Sequence, residues 1–180
     1  MSNITGYKQL CKIIKKLQEN DHDIIIPITG YAGVGKSTLA LKMIKEIIGH
    51  QAYTKDYMYE NLVYGRKEFD QKLEKYPKYS VFSADEVINM LFKRDFQNRK
   101  QNQVIKKLNT YRSKFFVIFL LLPNFADLDK SIRDSDRLKF WIHCKKRGEA
   151  IIFQPEDNPF NPDKWNMGLN MKWIREGYSY

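Results

Sequence analysis

Gly30, Tyr31, Ala32, Gly33, Val34, Gly35, Lys36 and Ser37 form a complete G-x-x-x-x-G-K-[ST] phosphate-binding loop. Its setting constrains the fold more than the pattern does. The apolar run Ile24-Ile25-Ile26-Pro27-Ile28 enters the loop as a strand, and the helical period of Leu39 to Ile48 leaves it. Glycines let backbone N–H groups close around phosphate oxygens, and the helix N-terminus adds partial positive charge. Lys36 can reach the outer phosphates, the Ser37 hydroxyl can ligate Mg²⁺, and Thr38 completes the set of nucleotide contacts.

The rest of the chain alternates strands and helices. Tyr7, Leu10, Cys11, Ile14 and Leu17 share one face of an amphipathic first helix. Pro27 inside the first strand predicts a bulge or a gap, because proline donates nothing to a sheet ladder. Gly49 is a C-terminal stop for the helix that follows the loop. Met58 to Tyr64 reads as a strand, Lys67 to Tyr76 as a helix ending before Pro77, and Tyr79 to Ala84 as a strand. Residues 87–92 and 100–111 are helical by period. Phe115 to Leu122 is apolar throughout, as a central parallel strand should be. Leu138 to His143 and Glu149 to Phe153 form a hairpin around Lys145-Lys146-Arg147-Gly148. This order predicts an α/β fold, a mostly parallel sheet flanked by helices that ends in a β-hairpin. Residues 1–180 are expected to be one domain, with a core at about 22–153 and an aromatic, Pro- and Asn-rich extension at 154–180.

Val81-Phe82-Ser83-Ala84-Asp85-Glu86 carries a second site. Adjacent acids in a first helical turn also suit the helix dipole. After an apolar strand downstream of a phosphate loop, they suit catalysis. Asp85 is the expected Mg²⁺ ligand alongside Ser37, and Glu86 the base for the attacking water.

Together, GYAGVGKS and VFSADE resemble the phosphate-loop ATPases that carry an additional strand and a catalytic glutamate, with a RecA-like core. FtsK/HerA translocases and viral genome-packaging ATPases belong there. A third stretch is similar to the ATPases of phages and mobile elements in that group. It contains a helix ending at Arg112, an apolar strand, and Pro123-Asn124. The resemblance implies that Asn124 senses the γ-phosphate and that Arg112 is an arginine finger offered to a neighbouring subunit. Arg94, Arg99, Arg133 and Arg137 are rivals for that role. It also implies ATP and Mg²⁺ as cofactors, and a homo-oligomeric ring.

Formal net charge is +10, which favours an acidic partner. Between residues 93 and 114 lie Lys93, Arg94, Arg99, Lys100, Lys106, Lys107, Arg112 and Lys114 against Asp95 alone. Such a segment suits either a solvated face or sequence-independent contact with nucleic acid, double-stranded DNA above all. Lys145-Lys146-Arg147 is a second candidate for that contact. No apolar run is long enough to span a membrane, no signal peptide is evident, and Cys11 and Cys144 read as free thiols, which together predict a cytoplasmic protein. His22, His50 and His143 lack metal-ligand spacing. These expectations converge on a DNA-translocating ATPase motor, as in viral or mobile-element DNA packaging. The alternatives are a nucleoside or nucleotide kinase, and a nucleotide switch that binds a protein partner.

Overall fold

The computed structural model describes residues 6–49, 57, 60–85, 99–155, 165 and 177–179; side chains of 99–104 and 177–179 are outside that description. The elements are α1 (Gly6–Glu19), β1 (Ile24–Thr29), α2 (Lys36–Ile48), β2 (Leu62–Tyr64), α3 (Arg66–Lys75), β3 (Val81–Asp85), α4 (Arg99–Thr110), β4 (Val117–Leu122), α5 (Lys130–Arg133), β5 (Trp141–Lys146), β6 (Glu149–Phe153) and β7 (Gly177–Ser179). They build a seven-stranded sheet in the order β2-β3-β4-β1-β5-β6-β7. The pairs from β2 through β5 are parallel, and β6 and β7 are added antiparallel. The expected class, a mostly parallel sheet flanked by helices and closing with a hairpin, is therefore the one observed.

β1 and β4 are buried at every position. Their side chains alternate between two apolar layers, as a strand covered on both faces requires. Ile24, Ile26, Ile28, Val117, Phe119 and Leu121 pack with α1 and α2. Ile25, Ile118, Leu120 and Leu122 face the opposite layer with Phe69 and Leu73 of α3 and Leu108 of α4.

Pro27 behaves as its chemistry demands, on one side only. The Ile24 N–H donates to Phe116 on the β4 side, and the Ile25 N–H to Arg137 on the β5 side. Alternation turns residue 27 toward β5. There the pairing is a lone bridge, Ile25 to Leu138, and resumes only at Ile28 with Ile142. Along β4 the register runs unbroken through Pro27 and Leu120.

Some boundaries move. Tyr57 and Glu60 are helical and the Asn61 N–H bonds back to Tyr57, so β2 begins at Leu62 rather than at position 58. Tyr79 and Phe115 adopt positive φ, 64° and 54°, which delays the starts of β3 and β4 to Val81 and Val117. β5 runs from Trp141 to Lys146, so the hairpin turn narrows to Arg147-Gly148. β7, from the tail, was not expected as a strand. The helix read at 87–92 lies outside the described residues.

Candidate functional site

The loop stands at the C-terminal end of β1, where three strands converge on it. From β4, the Pro123 carbonyl accepts the Gly30 N–H at 3.2 Å, which puts Asn124 next to the start of the loop. On the β5 side, the Cys144 carbonyl comes so near Gly30 that a Cβ there would sit 2.6 Å from it. At the end of β3, the Asp85 carboxylate accepts the Ser37 hydroxyl at 3.1 Å. Gly30, Gly33 and Gly35 all have positive φ, at 142°, 79° and 93°. Gly35 is also the N-cap of α2, with no side-chain cap, so the first amides of the helix are left to a ligand.

Lys36 Nζ donates to the carbonyls of Gly30 and Tyr31, at 2.7 and 2.9 Å. The ammonium is thus held over the loop it must serve. The Tyr31 ring is 82% exposed, so its contribution to the cradle is through backbone. A cleft of about 710 Å³ opens here, lined by the loop with Thr38, Lys42, Asp85, Arg147 and Gly148. Lys42 lies one helical turn beyond Thr38, a spacing from which the sequence could have added it. The oxygens of Ser37 and Asp85 are hard ligands within hydrogen-bond reach of one another. That pair fits Mg²⁺, which keeps water and substrate phosphate for its other positions. Among the described residues no group of three His, Cys, Asp or Glu could form a separate metal cage.

Behind the loop, Thr29 joins β1 to β5. The Trp141 indole N–H donates to Thr29 Oγ1 at 2.7 Å, and Oγ1 lies 3.0 Å from His143 Nδ1. Burial, then the charge of Lys145, lowers the His143 pKa. Trp141 stacks on Phe125 at 4.4 Å, and Trp165 closes the cluster, its N–H donating to the Arg133 carbonyl at 2.7 Å. Sequence reasoning had not drawn these residues together.

The remaining expected residues divide. Asn124 Oδ1 accepts the Ala126 N–H at 3.3 Å, which leaves its amide N–H groups as the donors a phosphate would meet. Arg112 precedes β4 and so lies at the end of the sheet opposite the loop, on the order of 20 Å away by strand rise. Within one chain it cannot reach the phosphate loop. Arg137 is withdrawn as a rival finger: it is buried and ion-paired with Asp23. Arg133 pairs with Asp134 at 3.6 Å. Glu86 and Arg94 lie outside the described residues, as does the Arg99 side chain.

The basic segment also divides. Lys107 bridges α4 to α3 through Asp70 and Glu74, at 3.4 and 2.9 Å. Lys114 donates to the carbonyls of Leu73, Glu74 and Tyr76, capping the C-terminus of α3. Lys106 remains exposed.

Fold and site define a phosphate-loop nucleotide-hydrolysing enzyme. The NB-ARC domain family matches residues 7–120, and the chain belongs to that family. Two solved structures share its fold. One is the N-terminal domain of zonular occludens toxin from Neisseria meningitidis, 19% identical, covering 88% of this chain and 94% of that one, TM-score 0.50. The other is the genome packaging NTPase B204 from Sulfolobus turreted icosahedral virus 2, solved in complex with ATP-gammaS. It is 11% identical, covers 75% of this chain and 93% of that one, and has a TM-score of 0.50. No curated protein matches the chain in sequence. Among the described residues, no helix is long and apolar enough to cross a membrane.

Proposed function

We propose that this chain is a Mg²⁺-dependent ATPase motor with a RecA-like core, working as a ring of identical subunits in the cytoplasm and coupled to translocation of double-stranded DNA, as in genome packaging. On this reading residues 1–180 are one ATPase domain. The observation that carries the proposal is the position of β4. It lies between β1, which bears the phosphate loop, and β3, which ends at Asp85. That inserted strand delivers Asn124 beside the loop, where a γ-phosphate sensor is needed. The fold shared with a packaging NTPase is in keeping with it.

In this reading the loop amides, Lys36 and Thr38 bind the phosphates of ATP. Ser37 and Asp85 hold Mg²⁺, which supplies charge neutralisation at the phosphates. Glu86 takes the proton of the attacking water, and Asn124 orients the γ-phosphate. Arg112, too far from its own loop, faces the nucleotide of the next subunit, where charge develops on the γ-oxygens. DNA contact falls to cations such as Lys106, exposed and without a side-chain partner among the described residues, rather than to Lys107 and Lys114.

ATP turnover, measured with and without DNA over a range of protein concentrations, tests the motor. Lys36→Ala should lose tight ATP binding, and Glu86→Gln should bind but not hydrolyse. Specific activity should rise with protein concentration, and mixing Arg112→Ala with Glu86→Gln should restore some turnover. Concentration-independent activity with phosphate transfer to a nucleoside would favour the kinase, and absence of DNA stimulation the switch. Lys106→Gln should weaken DNA binding and reduce its salt dependence. Lys107→Gln should act on stability instead, and equal effects of the two on DNA would refute the division.

A further inference from the structure

The tip of the β5–β6 hairpin looks in sequence like a uniform basic patch, yet its three cations are turned to different tasks. Lys145 and Lys146 share one carboxylate, Glu149, at 3.5 and 3.1 Å, so part of their charge is answered within the hairpin. The register shifts between Cys144 and Lys146, a bulge of the kind that re-aims a side chain beside a site. Beyond it Arg147 folds over the phosphate loop, and its Nε donates to the Gly33 carbonyl at 3.0 Å. Arg147 and Gly148 form one wall of the cleft whose other walls include Lys36, Thr38 and Lys42.

The base of the hairpin is fixed to the same loop. Cys144 abuts Gly30, and Thr29 meets Trp141 and His143. The tip is therefore held in register with the cradle rather than swinging free of it. With Nε on the Gly33 carbonyl, the guanidinium is preset above the loop, and its terminal NH₂ groups are the fork that suits phosphate oxygens. Lys36, Lys42, Arg147 and a helix N-terminus then line one cleft, in which Asp85 is the acidic lining residue among those described, an arrangement suited to a polyanion.

We propose that Arg147 is a nucleotide-binding residue, donating from its own subunit's hairpin to the phosphate oxygens of the nucleotide in the loop. This rests on the triphosphate reading of that loop. The hairpin is then a clasp on the nucleotide, not a contact for nucleic acid.

The test is titration of the intact protein with fluorescent ATP and ADP, for the parent, Arg147→Ala, Arg147→Lys and Lys36→Ala, with DNA binding and melting temperature measured on each. Losing a charge-assisted contact should weaken nucleotide binding about 10- to 100-fold in Arg147→Ala, with partial recovery in Arg147→Lys. The salt dependence of ATP affinity should flatten in Arg147→Ala, which mere deformation of the loop would not produce. Parental ATP affinity in Arg147→Ala overturns the proposal; if DNA affinity falls in that variant, the tip is a nucleic-acid contact instead. A parental salt slope also overturns it. Failure of the parent to bind ATP, or parental binding by Lys36→Ala, would bring down the triphosphate reading and this proposal with it.

Discussion

Gly30→Ala and Gly33→Ala offer the same chemical change at two positions of one loop, with unequal expected costs. At Gly33 the φ is 79° and an added Cβ meets nothing within 4 Å. The cost is then left-handed backbone strain alone, about 1–2 kcal/mol. At Gly30 the φ is 142°, and the Cβ would lie 2.6 Å from the Cys144 carbonyl oxygen and 3.0 Å from Val34 Cγ2. That oxygen belongs to β5, which is paired to β1 on one side and to β6 on the other, so it has little room to retreat. Backbone strain of about 1–3 kcal/mol and overpacking of about 1–3 kcal/mol give a sum near 4 kcal/mol. For a chain of this length, about 2–4 °C of melting temperature per kcal/mol puts the Gly30→Ala loss at roughly 8–16 °C. Gly33→Ala should lose roughly 2–8 °C on the same scale. Calorimetry without nucleotide, supported by urea unfolding, measures both. Equal shifts for the two variants would refute the claim that contact with β5, rather than dihedral strain, dictates glycine at position 30.

Two further perturbations probe the layers around the site. Burial raises the Asp23 pKa from 3.8 to about 6, against the lowering charge of Arg137, so the folded state holds this proton more tightly than the unfolded chain does. Its stabilising contribution is fully present below about pH 3.8 and lost as pH rises through about 6. Urea unfolding across pH 4–7 should therefore show a declining component in the parent that is missing from Asp23→Asn, and parallel profiles would refute it. Phe82 is fully buried and meets Phe69, Tyr76 and Phe116 edge-on, with ring centroids at 6.1, 5.6 and 5.6 Å. Phe82→Ala should cost about 3–5 kcal/mol in urea unfolding, and a loss under 1 kcal/mol would contradict the packing described.

What could be read from the sequence was what local chemistry determines. The loop is a contiguous motif, and its glycines, lysine and serine take their positions from backbone geometry within eight residues. The fully apolar run of β4 announced a strand covered on both faces, and Pro27 announced an interrupted ladder. Met58 to Tyr64 misled because Tyr and Met carry little information about period, and the Asn61 bond to Tyr57 belongs to a helical turn. Charge counts misled more. Lys106 and Lys107 are adjacent in sequence, yet one is exposed and the other braces α3, because a helix turns them to different neighbours. Nothing local distinguished Arg147 from Lys145 and Lys146. Its partner Gly33 lies 114 residues away, and only the pairing of β5 with β1 joins them.

The same pairing explains why the site occurs where it does. After β1 the chain leaves for the far edge at β2, returns through β3 to β4, and then crosses to β5 on the other side of β1. The connections on the two sides of β1 therefore part, and a crevice opens at the C-terminal ends of the strands, as at the switch points of other open α/β sheets. β1 reaches that crevice with β4 bonded to one edge and β5 to the other. Its continuation, Gly30, is accordingly tied to Pro123 and pressed against Cys144. A phosphate in the loop is thus one backbone bond from Asn124 and one strand from Arg147. Groups on either side of the nucleotide are held by the central strand itself, so the geometry of the cradle follows from the order of the sheet.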